Sequence, residues 1–131
     1  MQEFFSKLEI LSKKAYCPYS NFAVSAILVD KNGQTWEGVN IENAVYPAGV
    51  CAERVAIFQA ILAGKSKNDF QEIHIYSPNS KKFIVPCGQC LQVCVEFFPK
   101  NLKFFLYNSK SEFIKETLEK LLPLQFDKDF F

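Results

Sequence analysis

The sequence is poor in the side chains from which many catalytic and binding sites are built. His74 is its only histidine and Arg54 its only arginine. A zinc site made of two or three imidazoles is therefore excluded within one chain. A serine or cysteine nucleophile activated by histidine would have to use His74. All 15 basic residues except Arg54 are lysines, so the planar fork that grips anions in bidentate fashion exists at one position. Neither sign of charge is in excess: 15 basic and 14 acidic residues leave a net charge of +1. With no basic stripe, a nucleic-acid partner is not expected. No apolar run approaches the roughly 18 residues of a membrane span, so no membrane partner is expected either. The opening Met1-Gln2-Glu3-Phe4-Phe5-Ser6-Lys7 lacks the basic-then-apolar order of a secretory signal. The expectation is a cytoplasmic protein.

What is there is a chain of 131 residues, 49% hydrophobic and 22% charged. That composition is globular, and the length suits a single domain over residues 1–131. The five cysteines are Cys17, Cys51, Cys87, Cys90 and Cys94. An odd number without a leader points to a reducing compartment and to free thiols or metal ligands. Cys17 and Cys94 read as small buried hydrophobes.

Apolar spacing predicts a helix from about Glu3 to Ala15, broken by Cys17-Pro18-Tyr19-Ser20-Asn21. A buried strand from Ala23 to Val29 follows. Asp30-Lys31-Asn32-Gly33 reads as a hairpin turn into a strand from Gln34 to Val39. Cys51 to Ala63 reads as a buried helix stopped by Gly64. Glu72 to Tyr76 is a strand whose His74 faces away from Ile73 and Ile75 and is expected to be a satisfied strand histidine. Cys87 to Phe97 is a helix bounded by Pro86 and Pro99, and Leu102 to Tyr107 a strand. Phe113 and Ile114 add a short strand, and Thr117 an N-cap for Leu118 to Leu122. This alternation suggests a sheet covered by helices on both faces.

Two segments carry chemistry: Cys51-Ala52-Glu53-Arg54 and Pro86-Cys87-Gly88-Gln89-Cys90. Each sits where a turn becomes a helix, where free N–H groups and the helix dipole favour thiolates. Cys87 and Cys90 lie one turn apart, within reach of one tetrahedral zinc, and Cys51 can add a third sulfur. Three ligands leave a fourth position for water, the mark of a catalytic zinc. Glu53 could exchange protons with that water. Arg54 could offset the net negative charge of three thiolates on a dication. Taken singly, the Cys-x-x-Cys pair could be a redox couple. A closed structural zinc site could draw its fourth ligand from Cys17 or Cys94. Glu53 could be a carboxylate favoured by the helix dipole, and Arg54 a solvated charge.

The joint arrangement resembles the small, homotetrameric, zinc-dependent cytidine deaminases of pyrimidine salvage. The resemblance spans nearly the whole chain. It is carried by Ala15-Tyr16-Cys17-Pro18-Tyr19-Ser20-Asn21-Phe22, Gly38-Val39-Asn40-Ile41-Glu42-Asn43-Ala44, Cys51-Ala52-Glu53-Arg54, Pro86-Cys87-Gly88-Gln89-Cys90 and Glu119-Lys120-Leu121-Leu122-Pro123 with Phe126.

This resemblance implies a three-layer α/β/α sandwich with a central mixed sheet of about five strands. It implies one zinc ion per subunit held by Cys51, Cys87 and Cys90. The reaction implied is hydrolysis of cytidine or 2′-deoxycytidine by zinc-bound hydroxide at C4, with Glu53 moving the protons. Asn40 and Glu42 match the residues that hold the ribose hydroxyls, and Phe22 the ring that lines the base pocket. Ala52 offers a backbone N–H to the base, Tyr46 lines the site, and Phe126 reaches it from a neighbouring subunit of a homotetramer. Two departures stand out. Leu91 occupies a position where the family usually has arginine, which removes a positive charge near the thiolates and leaves Arg54 to act alone. Ser25 stands where the family often has glycine, and its hydroxymethyl is expected to tighten the strand beside the base. Alternatives are a deaminase of another cytosine nucleoside, such as a blasticidin-type antibiotic, or a zinc-stabilised binding module without turnover.

Overall fold

Asp30 turns the chain between the first two strands. Its Oδ1 accepts from the N–H groups of Asn32 (2.9 Å) and Gln34 (2.8 Å). Gly33 supplies the left-handed φ of 85° that the turn requires. In the computed structural model, which describes residues 1–131, this hairpin joins β1 (Ser25–Asp30) to β2 (Thr35–Val39) in antiparallel register. Asp30 also pairs with Lys65, Nζ to Oδ2 at 3.0 Å.

Three further strands complete the sheet: β3 (Phe70–Tyr76), β4 (Lys103–Tyr107) and β5 (Phe113–Thr117). The spatial order is β2-β1-β3-β4-β5. β3 and β4 run parallel and the other neighbours antiparallel. A parallel pair cannot be closed by a tight turn, so a helix makes the crossover between them.

Side chains alternate between the faces of each strand, which divides the core in two. On one face, Phe5, Leu8 and Leu11 of α1 (Gln2–Ser12) pack on Ile27, Val29, Tyr76, Phe105 and Tyr107. On the other, α2 (Ala52–Leu62) and α3 (Gly88–Phe97) cover Ala26, Leu28, Ile73, Ile75, Phe104 and Leu106. Ala56, Ala60 and Cys94 bring the helices close to the sheet. The result is the expected three-layer sandwich around a mixed five-stranded sheet. His74 is the satisfied strand histidine anticipated: it is fully buried on the α1 face. Its ring stacks between Phe4 (3.8 Å) and Phe105 (4.6 Å). Nδ1 meets the Tyr107 hydroxyl at 2.8 Å and Nε2 the Glu72 carboxylate at 2.5 Å.

Element boundaries differ from expectation where tertiary partners capture the backbone. α1 ends at Ser12 rather than Ala15, because Tyr16 donates to the Asn40 carbonyl (3.0 Å) and accepts from the Glu42 N–H (2.8 Å). β1 starts at Ser25, because the N–H groups of Ala23 and Val24 go to Asn79 Oδ1 and Asn40 Oδ1. β3 starts at Phe70, and β5 extends from Phe113 to Thr117. Thr117 precedes α4 (Leu118–Leu121) without a side-chain cap; Leu118 and Glu119 donate instead to the carbonyls of Leu102 and Lys100. Cys94 is buried as expected, but Cys17 is only half-buried, in the turn where its carbonyl accepts from Asn21 N–H.

Candidate active site

The first turns of α2 and α3 converge above the sheet. Cys51 and Cys87 are the N-cap residues of the two helices, both in extended conformation with ψ of 158° and 165°. That conformation frees Cys51 from the helical spacing that would point it away from Glu53. Cys90 lies in the first turn of α3 and is fully buried. The sulfurs of Cys51, Cys87 and Cys90 all lie within 4.8 Å of one another. A tetrahedral zinc with Zn–S bonds of about 2.3 Å sets sulfurs roughly 3.8 Å apart, so the donor set fits that ion with small adjustment. Neither Cys17 nor Cys94 joins the cluster, so the closed four-cysteine alternative is not formed.

Arg54 packs against these sulfurs. Its Nη2 donates to Cys51 Sγ at 3.7 Å, and its buried Nε has no hydrogen-bond partner. A guanidinium with a spare N–H beside clustered thiols is suited to a site that accumulates negative charge. The proton shared with Cys90, followed by the Arg54 guanidinium, pulls the Cys51 thiol down to about 5 despite burial. Cys90 moves the opposite way, because Cys51 takes the charge first and burial penalises a second thiolate.

Glu53 is 4% exposed. Burial, reinforced by the charge of Cys51, raises its carboxyl to about 7. A carboxyl poised near neutrality can both accept and return a proton. Glu53 shares a cavity of about 410 Å³ with Cys51, Ala52 and Cys87. Phe22, Asn40 and Glu42 line the same cavity, so four sequence-predicted residues, these three and Ala52, join Glu53 and the two thiols there.

The remaining expectations divide. Tyr46 lines an adjoining hollow of about 430 Å³ rather than the Glu53 cavity, because the 3-10 turn Tyr46–Ala48 carries it towards Tyr19, 6.1 Å away between ring centres. Phe126 lines neither hollow of its own chain. Its carbonyl accepts from Gln92 Nε2 (2.8 Å) and its ring stacks on Phe130 at 4.9 Å. Ser25 does not tighten the base side of its strand: it faces α1 and donates to the Leu8 carbonyl at 2.8 Å. Leu91 is buried in the apolar core, where it adds packing instead of charge. Sequence reasoning also gave no site role to Ser20, Ile84 or Val85, which line the cavity. Ser20 lies in the Cys17-Pro18-Tyr19-Ser20-Asn21 turn, and nothing in its spacing reveals a partner 22 residues away.

Residues 1–106 match the family model of the cytidine and deoxycytidylate deaminase zinc-binding region. The chain belongs to this deaminase family. A cytidine deaminase of Mycoplasma genitalium is 36% identical over 122 residues, covering 93% of this chain and 92% of the relative. The crystal structure of a cytidine deaminase from Burkholderia pseudomallei superposes with a TM-score of 0.90 at 36% identity, over 95% of this chain and 98% of that one. A more distant relative, a blasticidin-S deaminase of Bacillus cereus, is 28% identical over 137 residues, 98% of this chain and 95% of its own. The deaminase fold and its zinc-binding region are thus present together, with three sulfurs arranged to take the metal.

Proposed function

We propose that this chain hydrolyses cytidine and 2′-deoxycytidine to uridine and 2′-deoxyuridine with release of ammonia. The observation that carries the reading is the buried Glu53 carboxyl in one cavity lined also by Cys51, Cys87, Asn40 and Glu42. In this reading Cys51, Cys87 and Cys90 hold one zinc ion, with Arg54 offsetting their charge. Zinc, when bound, supplies a Lewis acid that makes water ionisable near neutral pH. Glu53 takes the proton from the water that adds to C4 and delivers it to N3 of the ring. It then protonates the departing amino group, so that water and cytidine balance uridine and ammonia. Phe22 packs against the base, Ala52 offers the first N–H of α2 to it, and Asn40 and Glu42 receive the sugar.

On this reading the chain works in pyrimidine salvage in the cytoplasm, a reducing compartment that suits its five free cysteines. No helix is long and apolar enough to cross a membrane. A homotetramer follows from the same reading, with Phe126 of a neighbouring copy, and Tyr46, completing the site. The exposed Leu124, Phe126, Phe130 and Phe131 support an apolar surface that a second copy would cover. Light scattering on the purified protein should give four times the 15.0 kDa chain mass.

The deciding experiment measures zinc per chain together with uridine formed from cytidine. One zinc and steady turnover are expected. Metal binding without ammonia release would reduce the chain to a zinc-stabilised module. The blasticidin-S deaminase relative favours a second reading, a cytosine nucleoside antibiotic as substrate, and the same assay with blasticidin S separates the two.

A further inference from the structure

The loop that carries Phe22 is tied to Glu42 through one side chain. Ser20 Oγ donates to Glu42 Oε2, while the N–H groups of Tyr19 and Ser20 donate to Oε1, each at 3.1 Å. The same Ser20 oxygen accepts from Phe22 N–H at 3.0 Å. Between them Asn21 adopts a left-handed φ of 55°, a conformation that asparagine tolerates better than most residues. The Phe22 carbonyl accepts from Asn40 Nδ2 at 2.8 Å. Both polar groups of the Phe22 backbone therefore end on polar side chains of the cavity, one on Ser20 and one on Asn40.

We propose that Ser20 is a positioning residue that orients the Glu42 carboxylate for the substrate's sugar and locks the Phe22 turn to it. This rests on the nucleoside deaminase reading and adds a residue to it. A carboxylate has about four acceptor positions. Two backbone N–H groups and the Ser20 hydroxyl occupy three, leaving Glu42 one fixed direction in which to accept a sugar O–H. The hydroxyl is also the largest influence holding the Glu42 carboxyl below its usual range. Without it, Oε2 is free to rotate or take up water, and the sugar must order the carboxylate as it binds. The cost falls on binding, because neither Ser20 nor Glu42 touches the reacting C4 amidine.

Steady-state kinetics on cytidine tests this with Ser20→Ala, Ser20→Thr, Glu42→Gln and the Ser20→Ala/Glu42→Gln double variant, each checked for zinc content. Ser20→Ala should raise KM about tenfold, the loss expected for a hydrogen bond to a charged group, with kcat within about threefold of wild type. Ser20→Thr, which keeps the hydroxyl, should restore KM to within about twofold, and in the Glu42→Gln background Ser20→Ala should add less than about twofold. Additive effects in the double variant, a fall in kcat at unchanged KM, or failure of threonine to restore KM overturns the role of Ser20 and leaves the deaminase reading standing. A wild-type chain that binds zinc and forms no uridine from cytidine overturns both.

Discussion

Gly38 in β2 lies directly beneath Ala52, the first residue of α2. A methyl group at Gly38 would stand 2.2 Å from the Ala52 carbonyl oxygen and 2.7 Å from the Ala56 nitrogen. Both neighbours are backbone, so no side chain can swing aside. The missing side chain lets α2 settle against the sheet and sets the height at which Cys51 and Glu53 enter the cavity. Gly38→Ala should therefore cost about 1–3 kcal/mol of stability through overpacking. It should also lower zinc content, because the Cys51 sulfur moves relative to Cys87 and Cys90. Denaturant unfolding and metal analysis on the same sample check both.

Glu53→Gln keeps the shape of the side chain and removes its proton chemistry. General acid–base groups contribute about 10²–10⁴-fold, and Glu53 is assigned every transfer, so the loss should reach or exceed the upper end. Zinc per chain and melting temperature should match wild type. Residual uridine formation within about tenfold of wild type would remove Glu53 from the mechanism.

Arg54 is the one basic side chain that meets the sulfur cluster. Arg54→Ala should weaken zinc affinity by about 10–100-fold, the range for groups that support metal ligands. Competition with a chromogenic chelator gives the affinity. Arg54→Lys should recover only part of it, because an ammonium cannot present the planar fork.

The Asp30 turn predicts an acid-sensitive stability. Burial would raise its carboxyl, but the Lys65 ammonium and the N–H groups of Gln34 and Asn32 outweigh burial and hold it below the ordinary range. A carboxyl depressed on folding contributes fully above its unfolded value of about 3.9 and loses that contribution as pH falls through the folded value. Asp30→Asn should be less stable than wild type by about 2 kcal/mol at neutral pH. The gap should stay flat down to about pH 4 and close below it. Urea unfolding across that range measures the gap directly.

The chemistry was legible because it lies in short range. Cys87 and Cys90 are one helical turn apart, and Cys51, Glu53 and Arg54 share one turn, so their types and spacing announce a metal site before any fold is known. Helix and strand identity was also readable, since apolar period follows local geometry. What escaped the sequence depends on distant partners. Nothing near Ser20 reveals that its hydroxyl meets Glu42. The Tyr16 and Val24 boundaries shift because Asn40, across the chain, takes their N–H or carbonyl groups. Ser25 looked like a base-side change by position, yet strand alternation turns it towards Leu8.

The burial of His74 gives the molecule a built-in spectroscopic reporter. As the only imidazole in the chain, it yields a single pair of ring-proton resonances without isotopic labelling. Those protons lie in the magnetic shadow of Phe4 on one side and Phe105 on the other. Lifting the first helix would abolish one half of that shielding while leaving the zinc pole untouched. Fraying of the N-terminal layer can thus be followed in solution separately from damage at the catalytic end.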